Sequence, residues 1–397
     1  MESYSFLLFL AIILISTKIL GLFSRKVNMP AVVGALLAGV ILGPACLNLI
    51  TLEGDAGKFL EMTAEVGVIL LMFNAGLETD LTELKKNGVA SFVTAILGVI
   101  VPLIGGTLGY ALFFHTDFSD YDEVLKAVFV GVVLTATSVS ITVETLRELG
   151  KLKGKVGTTI LGAAVIDDIV GIIVLTIVTS LKDTSVSPVT VLLKIVLYFI
   201  FIGIVAFIMM KCKGFIESRD EKRRTVIWAV ALCFILSYVS EEFFGIADIT
   251  GAYFCGLMYC TMKVDPYIAR RCEIPSYLIF SPVFFASVGL KVTLGNMDAS
   301  IWIFAIVLLV IAIVSKIIGC GLGAKLCNCN FKEALQVGVG MISRGEVALI
   351  VAQKGYQSGL LDDVLFAPIV IVVIVTTLLT PILLKMVMKD DPQEAAN

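Results

Sequence analysis

Gly162-Ala-Ala-Val-Ile-Asp167-Asp168-Ile-Val-Gly171 sets two adjacent carboxylates midway along a segment, 156–181, that is otherwise almost wholly apolar. A charged side chain near a bilayer centre costs about 2.5–3.5 kcal/mol even on the lenient insertion scale, so the pair needs polar surroundings or partners. Packing alone gives no reason to place two carboxylates at one depth. The pair therefore marks a functional centre, and the rest of the chain is read outward from it.

The setting is a membrane protein. Of 397 residues, 58% are hydrophobic and 16% are charged, and the mean hydropathy is +1.00. Soluble proteins carry about a quarter charged residues. Runs long enough to cross about 30 Å of hydrocarbon fall near 4–23, 27–49, 59–78, 88–113, 124–146, 156–181, 189–211, 225–243, 246–262, 274–290, 300–322, 333–353 and 364–387. The expectation is an all-α polytopic protein with about 13 transmembrane helices. The run at 4–23 lacks a basic n-region and a small-x-small cleavage site, so it is read as a helix and not as a signal peptide.

Loop charges give the orientation. With these spans, 21 Lys and Arg residues fall on one side and five on the other. Cytoplasmic loops hold the basic excess, which places the N-terminus outside and the C-terminus in the cytoplasm. The net charge of −3 carries little information beside that asymmetry. The nine cysteines are scattered and read as free thiols, and Cys327-Asn-Cys329 has no second pair to make a metal site. His115, the one histidine, lies in a polar loop.

Two spans carry small or polar residues at mid-length, Leu134-Thr-Ala-Thr-Ser-Val-Ser140 and Gly338-Val-Gly-Met-Ile-Ser-Arg344-Gly-Glu346. As the fifth and twelfth spans they cross in opposite directions. That pattern predicts inverted repeats with two discontinuous helices, whose freed backbone groups and dipole ends form an ion site at the midplane. The partition expected is a single membrane domain over 1–397, with repeat 1 about 1–181, a linker helix about 189–211, repeat 2 about 225–390 and no soluble regulatory domain.

Neighbouring residues on a helix point about 100° apart, so Asp167 and Asp168 need separate environments. Ala164 and Gly171 share the Asp168 face and suggest a closely approaching helix. Lys316, midway along the eleventh span, needs a carboxylate partner, for which Asp167 is the candidate. Thr135, Thr137 and Ser138 offer oxygen ligands for a small hard cation. Arg344 and Glu346, flanking Gly345, are assigned to compensating broken-helix dipoles. Glu65, Glu78 and Asp248 are read as interfacial or capping residues. The glycines at 34, 39 and 43, followed by Pro44, signal close packing and a helix end, since no basic phosphate-binding residue accompanies them.

Met29-Pro-Ala-Val-Val-Gly-Ala-Leu-Leu-Ala-Gly-Val-Ile-Leu-Gly-Pro44, Val68-Ile-Leu-Leu-Met-Phe-Asn-Ala-Gly-Leu-Glu-Thr-Asp80, Thr135-Ala-Thr-Ser138, Ala163-Ala-Val-Ile-Asp-Asp168 and Ser343-Arg-Gly-Glu-Val-Ala348 resemble the monovalent cation/proton antiporter superfamily. The paired aspartates look like its electrogenic bacterial sodium/proton exchangers of the NapA type. The resemblance implies a homodimer in which a core domain moves past a dimerisation domain. By motif position it implies Asp168 as the ion-binding carboxylate, Asp167 as the partner of Lys316, and Thr137 and Ser138 near a transient sodium ion. Asp167 departs from the electroneutral branch, which has Asn there. The function implied is exchange of Na+ or Li+ for H+ across the plasma membrane, with K+/H+ exchange as the alternative. No enzyme activity, resident cofactor or nucleic acid partner is expected. A channel or sensor on the same scaffold is a less favoured reading. An intramembrane aspartyl protease is disfavoured, because its two aspartates must converge from separate helices.

Overall fold

The computed structural model describes residues 4–388 apart from 28, 53, 183–187, 219–221, 263–264, 292–297, 358 and 362. Arg219, Lys263 and Lys389 of the loop-charge count lie outside the described residues, as do the side chains of Lys222, Arg223, Glu346 and Lys354. Every regular element among the described residues is helical. The first half of the chain holds α1 (Ser5–Lys26), α2 (Ala31–Leu42), α3 (Gly54–Glu78), α4 (Leu81–Phe114), α5 (Tyr121–Thr135), α6 (Val139–Glu148), α7 (Lys155–Lys182) and α8 (Pro188–Ser218). The second holds α9 (Lys222–Val239), α10 (Asp248–Tyr259), α11 (Asp265–Pro275), α12 (Ser281–Leu290), α13 (Ala299–Leu326), α14 (Phe331–Gly340), α15 (Glu346–Gln357) and α16 (Asp363–Val387).

Each of the thirteen expected segments coincides with a helix or a broken helix. Ten helical segments among the described residues are long and apolar enough to cross a membrane. The other three are shorter. Segment 27–49 is helical only over the 12 residues of α2, because Pro44 cannot donate to a continuing helix. There the chain turns back, with Asn48 N donating to the Gly43 carbonyl at 2.8 Å and Leu49 N to the Leu42 carbonyl at 2.9 Å. Segment 246–262 shrinks to α10, also 12 residues, and 333–353 is divided between α14 and α15. A wider π-helical turn, Ser276–Phe280, joins α11 to α12 after Pro275.

The chain divides into two compact units, each drawn from both halves of the sequence: 1–19, 35–85 and 184–291 in one, and 20–34, 86–183 and 292–397 in the other. In the first unit α3 is the central element, and α10 lies against it through facing glycines. A β-carbon on Gly76 would sit 2.3 Å from the Tyr253 carbonyl oxygen, and one on Gly256 would sit 2.2 Å from that of Phe73. Lipid tails are as apolar as leucine, so burial does not drive helices together inside a bilayer, and such close backbone approach supplies the attraction.

The second unit has an apolar core contributed by α5, α7, α13, α15 and α16, including Phe129, Leu175, Phe304, Leu308, Val351 and Ile369. Ion pairs at helix ends, Lys155–Glu333 at 2.7 Å and Lys182–Asp122 at 2.6 Å, tie α7 to its neighbours. Both pairs are partly exposed and contribute at most about 1 kcal/mol each.

The glycine contact yields a prediction. Gly256→Ala drives a methyl into a backbone carbonyl and is expected to destabilise the protein by about 1–3 kcal/mol. Gly203→Ala on α8, where an added β-carbon meets no atom within 4 Å, is expected to leave stability unchanged or raised. Thermal unfolding in detergent micelles checks both.

Candidate ion-binding site

The site lies within the second unit and is framed by two helix breaks. α5 ends at Thr135 and α6 resumes at Val139, while α14 ends at Gly340 and α15 resumes at Glu346. The breaks touch, with Ser138 N donating to the Ser343 carbonyl at 2.7 Å. On one side of this bond Phe129 of α5 abuts Gly355 of α15. On the other, the Thr142 hydroxyl of α6 donates to the Gly340 carbonyl at 2.7 Å. Rising numbers along one broken helix therefore meet falling numbers along the other, so the two run antiparallel and cross at their gaps.

Broken helices leave carbonyls without intrahelical donors. Arg344, which is fully buried, supplies donors to several carbonyls at once. Its guanidinium donates to the Ile342 carbonyl at 2.9 Å, to the Leu134 carbonyl in the last turn of α5 at 2.8 Å, and to the Ala312 carbonyl of α13 at 3.0 Å. Its own carbonyl accepts from the Thr377 hydroxyl of α16. One side chain thus ties α5, α13 and the α14–α15 gap together. Nε of Arg344 has no hydrogen-bond partner among the described residues. The side chain of Glu346, the other residue assigned to the broken-helix dipoles, lies outside the described residues.

α7 carries the two aspartates past this crossing. Lys316 of α13 is fully buried, and its ammonium lies 3.1 Å from Asp167 Oδ1 and 3.4 Å from Oδ2. The Thr137 hydroxyl, in the α5–α6 gap, faces the Asp167 carboxylate as a potential donor, without a hydrogen bond of good geometry among the described residues. Thr135 is engaged differently, its hydroxyl donating to the Val132 carbonyl at 2.7 Å. The Ser138 hydroxyl lies 3.2 Å from that of Ser140.

Asp168 is 7% exposed against 2% for Asp167. The face it shares with Gly171 differs from the sequence reading. A β-carbon on Gly171 meets no atom within 4 Å, so no helix backbone presses on that residue. The small side chain leaves open space one turn from Asp168.

Two neighbours of the ion pair escape a sequence reading. A β-carbon on Gly98 of α4 would stand 2.5 Å from Cys320 Sγ, 3.8 Å from Lys316 Nζ and 3.9 Å from Asp167 Oδ1. α4 therefore closes over the pair at a position where only hydrogen fits, with the buried Cys320 thiol beside it. The i, i+4 spacing of Cys320 from Lys316 was the available signal for the thiol; nothing in the sequence near Gly98 points to α7 or α13.

The arrangement brings together a carboxylate neutralised by Lys316, a less buried second carboxylate, and a hydroxyl in a backbone gap that faces the first of them. These groups can exchange a small cation and protons on one set of oxygens, since carboxylate and hydroxyl oxygens ligate hard cations and the carboxylates also take protons. Glu65, Glu78 and Asp248 belong to the first unit and are not part of this cluster. Asp248 accepts from Ile249 N at 2.7 Å at the start of α10, a local capping contact.

The family model described as sodium/hydrogen exchanger, transmembrane, matches residues 10–390. A probable Na+/H+ antiporter, GerT of Bacillus cereus, is 42% identical over 380 residues, covering 95% of this chain and 97% of that one. The Na+/H+-K+ antiporter GerN of the same species is 40% identical, covering 96% of each chain. An Na+/H+ antiporter of Enterococcus hirae is 39% identical, covering 96% of this chain and 97% of its own. In fold, the chain is similar to the sodium proton antiporter MjNhaP1 of Methanocaldococcus jannaschii at pH 8, with a TM-score of 0.68, 19% identity and 97% of each chain covered.

Removing one partner of a buried ion pair leaves an uncompensated charge and costs about 3–5 kcal/mol. Lys316→Met and Asp167→Asn are each expected to destabilise on that scale, and the double variant to recover most of the loss. Unfolding of the four proteins in micelles measures the coupling; additive losses would show that the pair contributes nothing beyond its separate members.

Proposed function

This chain belongs to the sodium/hydrogen exchanger family, and we propose that it is a secondary antiporter that moves sodium out and protons in by alternating access. The observation that carries the reading is the fully buried Lys316–Asp167 pair set beside Asp168 at the crossing of two helix breaks. In this mechanism Asp168 holds the sodium ion, aided by Thr137 and the backbone of the α5–α6 gap around Ser138. Sodium and protons compete for the carboxylates. When sodium leaves, protons replace it, and the site changes the side to which it opens.

Asp167 and Lys316 act as a coupled unit whose protonation belongs to the pair. Sodium binding from the cytoplasm separates Asp167 from Lys316, whose ammonium loses its proton to that side. Once sodium has left on the outside, Lys316 and Asp168 each take a proton from that side, the pair re-forms, and both protons are released inward after the return. Two protons then enter for each sodium ion that leaves, so one net charge moves inward per cycle. At 100 mV this gains about 2.3 kcal/mol. Arg344 holds the crossed helices in register without taking part in transfer, because its donors are directed at carbonyls.

Potassium is the second cargo to consider, since the GerN relative is named for it as well as for sodium. Lithium belongs to the same test, because cavity size and rigidity decide among hard cations. The protein is further proposed to work as a homodimer in the plasma membrane, N-terminus outside and C-terminus in the cytoplasm, as the loop-charge bias supports.

The test uses proteoliposomes loaded with a pH-sensitive dye and challenged with each cation in turn. A sodium gradient is expected to drive proton movement in the wild type. Asp168→Asn, which keeps the shape of the side chain and removes its charge, is expected to abolish it. Undiminished sodium-driven proton flux in that variant would exclude Asp168 as the ion-holding group. Cation movement without any coupled proton flux in the wild type would point instead to a channel.

A further inference from the structure

α1, α6 and α16 end together at one edge of the second unit, around a cavity of about 330 Å³ lined by Arg25, Met29, Pro30, Glu148, Leu149 and Lys385. Arg25 is in the last turn of α1 and Lys385 in the last turn of α16. Both are placed where a spanning helix reaches the water boundary. The transport reading uses none of these residues.

The charges in the cavity are unevenly committed. Glu148 accepts from Ala31 N, the first residue of α2, at 2.7 Å, so one carboxylate oxygen caps that helix. The other lies 3.8 Å from the Arg25 guanidinium, too far for a hydrogen bond. The Arg25 side chain is 54% exposed against 18% for Glu148, which leaves most of its five donors available. Lys385 is half-buried in the same wall, and Lys26 is exposed beside Arg25. A guanidinium and an ammonium thus face one space with a single carboxylate that is already engaged.

The rim is apolar. Leu22, Phe23 and Val27 next to Arg25, and Met386 next to Lys385, are exposed. Met29, Pro30 and Leu149 add apolar lining. A free anion has no use for such a rim. A lipid does, because its headgroup meets cations while its acyl chains run along the neighbouring helices. Basic pockets at the ends of membrane helices recognise phosphate headgroups in this way, and a guanidinium matches phosphate oxygens with paired donors.

We propose that this cavity binds the anionic headgroup of a glycerophospholipid such as phosphatidylglycerol, with Arg25 and Lys385 on the phosphate and Glu148 setting an upper limit on affinity by its like charge. α6 leads from the cavity to the helix break at Ser138 in ten residues, so a bound lipid braces the far end of the element that carries the ion-site gap.

Native mass spectrometry of the full chain in micelles, titrated with phosphatidylglycerol, phosphatidylcholine or inorganic phosphate, tests the proposal. The wild type is expected to retain one phosphatidylglycerol in preference to phosphatidylcholine, and millimolar phosphate is expected not to displace it. Arg25→Gln and Lys385→Gln should each weaken phosphatidylglycerol binding by about three- to tenfold. Glu148→Gln should strengthen it, since the amide oxygen still accepts from Ala31 N while the negative charge is gone. Thermal unfolding of each variant without lipid shows that it is folded. Lys385→Gln and Glu148→Gln, with their opposite expected signs, decide the matter even if Arg25→Gln does not fold. Unchanged adducts in the folded cation variants, weaker binding in Glu148→Gln, or full displacement by inorganic phosphate would each overturn it.

Discussion

A lysine and an aspartate held 3.1 Å apart with neither side chain exposed to solvent form the interaction on which the second unit depends. Each charge alone is costly in such a buried position, and their mutual attraction offsets desolvation only when geometry is good and remaining donors and acceptors are met. The pair therefore acts as a constraint on α7 and α13: the two helices cannot separate without exposing an unpaired charge to an apolar interior. Gly98 and Cys320 close the space around it. In the proposed exchange, a change of protonation or the arrival of a second cation opens the pair. That is the property an exchanger needs.

The second constraint is the backbone. Two helices interrupted at the same place would leave a set of polar groups in an apolar layer, where each unsatisfied group costs several kcal/mol. The protein meets this with one hydrogen bond between the gaps, from Ser138 to Ser343, and with Arg344 spread over carbonyls from three segments. Arg344 and Lys316 are both buried cations, yet they do different things. Lys316 faces a carboxylate, whose charge can change; Arg344 faces carbonyls, whose charge cannot. In the proposed mechanism this difference lets Lys316 take part in the cycle while Arg344 holds the crossed helices.

Much of this was legible in the sequence because cost is legible. Asp167, Asp168 and Lys316 stand out in apolar runs, and Thr-Ala-Thr-Ser and Ser-Arg-Gly interrupt helical spans with residues that favour backbone gaps. The reading failed where the answer depended on which surface faces a given side. Gly171 looked like a contact for a neighbouring helix and borders open space instead. Gly98 looked like any membrane glycine and sits over the ion pair. The partners of Arg344 are backbone carbonyls, which every residue has, so no side-chain pattern could identify them. The segments that hold the short α2 and α10 look like full spans because hydropathy registers apolar length and not where the helix stops, as it does before Pro44 in the case of α2. The two compact units each combine segments from both halves of the chain, an assembly that periodicity along the chain does not encode.

The central claim is that the Asp167–Lys316 pair gives each exchange cycle a net charge, and transport driven by voltage alone examines it most directly. Proteoliposomes with equal sodium and equal pH on both sides are given a potassium diffusion potential through valinomycin, and radioactive sodium movement is followed. The account predicts net sodium flux from the negative side to the positive side, as protons move the opposite way in excess, with the flux reversing when the potential is reversed. Net sodium movement that stays at zero at either polarity, in vesicles that exchange normally under an ion gradient, would contradict it.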